Sequence, residues 1–199
     1  PVERWLPVAD VDPAEVPYFS LIVVTGDSLH GRRSREDAVP VPEAAAAPPA
    51  AELLVVGVGP GPEAWTTPEV ASALAEVDHV VGYGPYLDRV PQRPGLTRHA
   101  SGNTVEVDRA RAALILALRG ERVAVVSGGD AGVFGMAAAV FEAAEDPVFA
   151  GVAIRVLPGV SAIQAVAARA GAPIGADFAV MSLSDRLKPW SAIEQRLRR

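Results

Sequence analysis

Cysteine is absent from the 199 residues. That excludes disulfides, thiolate catalysis and cysteine-ligated metals, and it fits a cytoplasmic setting. Apolar runs of about 18 residues are also missing, so no membrane-spanning helix is expected. The opening Pro1-Val2-Glu3-Arg4-Trp5 has no secretory pattern. Lacking an initial methionine, the chain reads as a fragment or a processed product. Positive charge is in deficit. The net charge of −6 argues against a general nucleic-acid binder, though a locally basic site for an anionic substrate is compatible with it. No GxxxxGK[ST] occurs, which disfavours a P-loop ATPase. Apolar side chains are plentiful, at 50% of the chain, so a sizeable core in one domain with appendages is possible.

Short apolar runs alternate with helical patterns. Leu53-Leu54-Val55-Val56, His79-Val80-Val81, Val123-Ala124-Val125-Val126 and Ile154-Arg155-Val156-Leu157 have the length and β-branching of buried strands. Phe178-Ala179-Val180-Met181-Ser182-Leu183 reads as a further strand. A helix is expected after Thr66-Thr67-Pro68-Glu69, with Thr66 as cap and Glu69 completing a capping box. Asn103–Leu118 is amphipathic, with Asn103 and Glu106 as its cap and Gly120 as its stop. Met136–Ala144, Ala162–Ala170 (stopped by Gly171) and Trp190–Arg198 complete the helices. Such alternation predicts an α/β fold, a mostly parallel sheet with helices on both faces.

The first fifty residues differ. Val16–Val24 reads as a lone strand, and Thr25-Gly26-Asp27 as a turn. A single strand needs a sheet to join. Arg32–Asp37 is a charged run, read as solvated rather than as an anion site. Residues 39–50 are rich in proline and alanine, a semi-rigid linker.

Chemistry is expected where glycines follow strands, because strand carboxyl ends in open α/β sheets bind ligands. Gly57-Val58-Gly59-Pro60-Gly61, Ser127–Gly135 and Pro158-Gly159-Val160-Ser161-Ala162 all sit there. In a parallel sheet they share one edge and can converge on one crevice. Glycine lets backbone amides approach a ligand, or it merely permits a tight turn. Asp130 can pair with an ammonium or accept from hydroxyls, or it makes an Asx-turn or helix cap. Gly57-Val58-Gly59 also begins a dinucleotide fingerprint, but Pro62 stands where its third glycine belongs and Asp78 fits the ribose-binding acid loosely. Tyr83, Tyr86, Asp88 and His99 are candidates by type for proton transfer. The plainer readings are core packing for Tyr86 and a surface loop for His99. Arg89, Arg93 and Arg98 either meet carboxylates or are solvated.

These three loops, in this order and spacing, resemble those of the tetrapyrrole (corrin/porphyrin) methyltransferases. Val81–Tyr86, Ser127–Met136 and Asp177–Asp185 with Pro189-Trp190 and Ile193-Glu194 narrow the resemblance to the precorrin-3B C(17)-methyltransferases, ring-contracting enzymes of aerobic cobalamin synthesis. Val16–Val23 is similar to the last strand of the precorrin-2 C(20)-methyltransferases. The resemblance therefore implies part of a fusion. Residues 1–31 would be the tail of a preceding methyltransferase module and 32–51 the linker. Residues 52–174 would be the N-terminal lobe, and 175–199 the start of a truncated second lobe.

By the same resemblance the cofactor is S-adenosyl-L-methionine and the substrate precorrin-3B, with no metal, and the full-length enzyme is a homodimer. Pro60 would lie on the cofactor side of the first loop, with Gly57, Gly59 and Gly61 in the same set. Gly128, Gly129 and Asp130 would hold the methionine part. Val133 would contact through its backbone, Phe134 would belong to the cofactor site, and Ser161 and Ala162 would line the adenosine side. Tyr83 and Tyr86 would face the substrate. Ala131 departs from the proline of many relatives. Residues 1–199 alone are expected to bind the cofactor weakly and to lack turnover. The implied reaction is methyl transfer from a sulfonium to a ring carbon, a task of alignment and desolvation. Another corrin or porphyrin methyltransferase, or a non-catalytic cofactor-binding lobe, is the alternative.

Overall fold

A computed structural model describes residues 51–102, 105–182 and 189–197. The expected tail strand, the charged run, the linker before Ala51, Asn103, Leu183 and Arg198 lie outside the described residues.

Five strands form the sheet: β1 Glu52–Gly57, β2 His79–Tyr83, β3 Thr97–Ser101, β4 Val123–Ser127 and β5 Ala153–Leu157. Their order is β3-β2-β4-β1-β5, and every pairing is parallel. Among the described residues six α-helices accompany them: α1 Pro68–Glu76, α2 Gly84–Leu87, α3 Glu106–Leu118, α4 Met136–Ala144, α5 Ala162–Ala170 and α6 Trp190–Leu197.

The central strands are continuous apolar runs because both sheet faces are covered. Alternate residues feed two cores. Leu53, Val55, Val123 and Val125 pack with Ala113 and Leu114 of α3 and Val140 of α4. Leu54, Val56, Val80 and Val126 pack with Val70 and Leu74 of α1 and Leu87 of α2. Each such aliphatic side chain stabilises the fold by about 1.5–3 kcal/mol.

Several local expectations are corrected. The cap of α1 is Thr67, which accepts from the Val70 amide at 3.3 Å. Thr66 instead donates to the Val58 carbonyl at 3.2 Å, so it ties the first glycine loop rather than the helix. The cap moves one residue on, and the N3 position is then Val70, so α1 has no capping box. Helix α3 starts at Glu106 behind Val105, which makes no side-chain cap. Residues 178–182 form no strand. None of the five strands pairs with them, and strand propensity without a partner leaves backbone groups to water.

Strand β3 was not expected at all. His99 lies on this edge strand, not in a loop. Its Nε2 is 2.9 Å from Nδ1 of His79, whose Nε2 is 3.5 Å from Glu121. Burial, and then the charge of His79, hold the His99 pKa below the usual histidine value. The unfolded chain therefore binds a proton that the fold resists. This contribution is full above about pH 6.5 and is lost as pH falls through and below that value. Urea midpoints measured from pH 7.5 to 5.5 are expected to fall, and His99→Gln is expected to flatten part of that fall. An identical slope in the variant would remove His99 from the account.

Candidate functional site

All five strands point their carboxyl ends to one rim, and the three glycine loops meet there. The Val58 amide donates to the Ser127 carbonyl at 2.9 Å. Gly59 and Gly129 exchange amide-to-carbonyl bonds of 3.0 and 2.7 Å. Both glycines sit at left-handed φ, 75° and 68°, which other residues adopt at a cost. The amides of Gly59 and Gly129 are thus taken by backbone carbonyls. The glycines let backbone meet backbone, and the loops grip one another.

Asp130 completes the link. Its Oδ1 accepts from the amides of Gly132 at 2.8 Å and Val133 at 3.1 Å. Its Oδ2 accepts from the Gly159 amide at 2.8 Å. The Asx-turn reading is therefore present, together with a bridge to the loop after β5. A carboxylate offers about four acceptor positions, so one stays open for a ligand cation. Ser161 caps α5: its hydroxyl accepts from Ile163 at 3.1 Å and donates to Gln164, whose Oε1 also accepts from the Ser161 amide at 3.2 Å. What Ser161 offers a ligand is wall rather than a free hydroxyl.

Beside this knot lies an open crevice of about 910 Å³. Asp130, Val133, Phe134, Gly159 and Ser161 line it, joined by Ile174, Phe178 and Val180 from the chain after α5. Gly57, Gly59, Gly128 and Gly129 build the rim behind it. Pro60, Gly61 and Ala162 do not line it. Ala131 is wholly buried, and its carbonyl accepts from the Ala137 amide at 3.0 Å, so the loop is anchored without proline.

Tyr83 and Tyr86 stand apart from this crevice, at the ends of β2 and in α2, with their rings edge to face at 5.4 Å. Tyr86 is 38% exposed and lies against Gly128, where a Cβ would come within 2.6 Å of its ring. It is thus not simple core packing. The arginines weighed for substrate are turned inward instead. Arg89 donates to the carbonyls of Gly59 at 2.7 Å and Val58. Arg93 donates to Leu74 and Val77, and Arg98 to Val90. Asp78 precedes β2, at the opposite sheet edge, where Arg122 holds it at 2.7 and 2.8 Å, so it is no ribose ligand here.

Arg109 was missed. Its side chain is buried, and it donates to Ser101 Oγ at 2.8 Å, to Met136 Sδ at 3.3 Å and to the Gly102 carbonyl. Burial lowers its pKa. It clips the end of β3 to the first residue of α4. A charged residue adjoining the Ala110–Ala113–Ala117 stripe was the available signal.

Residues 52–199 match the family described as tetrapyrrole (corrin/porphyrin) methylases. The cobalamin biosynthesis protein CobIJ of Mycobacterium tuberculosis is 50% identical over 195 residues, which are 98% of this chain and 35% of that protein. A precorrin-3B C(17)-methyltransferase of Sinorhizobium sp is 53% identical over 148 residues, 73% of this chain and 58% of that one. The crystal structure of the methyltransferase CobJ is similar with a TM-score of 0.70 at 54% identity, covering 74% of this chain and 62% of that chain. The chain thus spans between a third and three fifths of the length of these two curated relatives.

Proposed function

Because the chain belongs to the tetrapyrrole (corrin/porphyrin) methylases, we propose that it takes part in S-adenosylmethionine-dependent methylation of precorrin-3B at carbon 17, with ring contraction, in cobalamin biosynthesis. The observation that carries the reading is the interlock of three loops beside one crevice, with a carboxylate at the junction. Relatives at 50 and 53% identity bear the cobalamin and precorrin-3B names, which supports the substrate.

The residues fit the cofactor. An amino acid's ammonium needs an acceptor, and Asp130 has one acceptor position left. The crevice volume lies within the range of small-molecule sites. S-adenosylmethionine supplies a methyl group already activated on a positive sulfur. The chain's own residues therefore need to orient, desolvate and hold still. Asp130 and Gly159 fix two walls relative to each other. Val133 offers its backbone, and Ser161 closes the far side.

We read residues 52–174 as the lobe that carries this site and 175–199 as the start of the second lobe. Residues 1–31 belong, on this reading, to a preceding methyltransferase module, joined by the linker 32–51. The CobIJ match extends well beyond the family-matched residues, which favours it.

Calorimetric titration with S-adenosylhomocysteine is expected to give one-to-one binding to residues 1–199. No binding would overturn the donor site. In the full-length enzyme, label from methyl-labelled donor is expected on carbon 17 of precorrin-3B. Label on another carbon would reassign the enzyme within the pathway.

A further inference from the structure

Among the described residues Phe134 is the one non-glycine residue in the left-handed region, at φ 53°. A bulky side chain there is strained, and such strain persists when its surroundings over-determine it. They do so here. Met136 donates its amide to Ser127 Oγ at 2.9 Å, and Ala137 to the Ala131 carbonyl at 3.0 Å. Gly135 is pressed against the same carbonyl, which a Cβ would approach to 2.5 Å. The loop must therefore turn at residue 134. Glycine or asparagine would serve that turn better.

Nor does the ring contribute to the core, because it is 68% exposed. It stands at the crevice lip with Ile174, Phe178 and Val180, all exposed. Among the described residues strain and apolar exposure both oppose the fold, so their own packing does not account for phenylalanine at this position.

We propose that Phe134 is a stacking face for the conjugated plane of the tetrapyrrole acceptor, and not a contact for the donor's base. This rests on the methylase reading and deepens it. The donor's ammonium has its acceptor at Asp130, whereas a nucleoside's hydroxyls and ring nitrogens would find no polar side chain among Phe134, Ile174, Phe178 and Val180. The lip made by Phe134, Ile174, Phe178 and Val180 offers a wide apolar surface with no polar side chain, which suits a large planar ring system.

The test uses Phe134→Gly and Phe134→Asn in residues 1–199. Ligands are uroporphyrin III as a tetrapyrrole polycarboxylate probe and S-adenosylhomocysteine as a donor probe. Both variants are expected to keep or raise the unfolding midpoint, by about 2–4 °C where the strain is relieved. Porphyrin affinity is expected to fall about tenfold or more, S-adenosylhomocysteine affinity to stay within about twofold, and Phe134→Trp to retain porphyrin binding. Unchanged porphyrin affinity, an equal loss for both ligands, or a lowered midpoint in both variants would overturn the assignment. Donor-probe binding without porphyrin binding in the unaltered protein would overturn it while leaving the donor site standing. If neither probe binds, the donor reading falls and this inference falls with it.

Discussion

Gly159→Ala is expected to lower the unfolding midpoint by about 6–12 °C and to abolish measurable binding of S-adenosylhomocysteine. A Cβ at this position would lie 2.5 Å from the carbonyl oxygens of Gly129 and Gly57 and 2.8 Å from the Gly57 carbonyl carbon. These are backbone atoms, so no rotamer change relieves the overlap. The Gly57 atoms end β1 in the sheet's interior, and Gly129 is bonded to Gly59 across the loops. One of the three loops must leave. Overpacking costs about 1–3 kcal/mol where side chains adjust, and a clash with fixed backbone sits at or above the upper end. About 3 kcal/mol in a domain of this size gives the stated shift. Thermal unfolding and calorimetry check both parts. A variant that melts like the parent and binds the donor probe would mean that the loops are not packed this closely.

The second large effect is expected at Asp130. Removing the carboxylate in Asp130→Ala leaves the amides of Gly132, Val133 and Gly159 without their acceptor. Bonds to a charged group are individually worth about 1.5–3 kcal/mol when buried, but these amides are partly open to water. A total of about 2 kcal/mol is expected, seen as a fall of about 4–8 °C, with donor-probe affinity down at least about tenfold. Asp130→Asn is expected to rescue only part of this. Its amide keeps one oxygen, so one of the two loops then faces an N–H with an N–H. Full rescue by asparagine would show that shape, not charge and double acceptance, is what the junction requires.

The sheet was legible because its central strands are unlike anything else in the chain. Val123–Val126 and Leu53–Val56 are apolar on both faces, and only a parallel sheet covered on both sides buries such runs. β3 was not legible because Thr97-Arg98-His99-Ala100-Ser101 is polar and half-buried at the edge, and its strand character comes from pairing with β2. The convergence of the loops was legible from topology alone, since parallel strands put their ends together. What each loop residue does was not. The glycines suggested ligand access or a tight turn, and the close contact of one loop with another shows only in the fold. Arg89 carries no local pattern and Arg109 shows only its place beside the alanine stripe of α3, because their partners are carbonyl, hydroxyl and thioether groups brought near by folding.

The single turn α2 has a consequence larger than its four residues. Tyr86 leans on the central loop at Gly128, and Arg89, just beyond the turn, holds two carbonyls of the first loop. One short piece of chain thus acts as a keystone seated against two of the three stones of the arch. A load placed on that turn is carried to both loops without passing through the crevice.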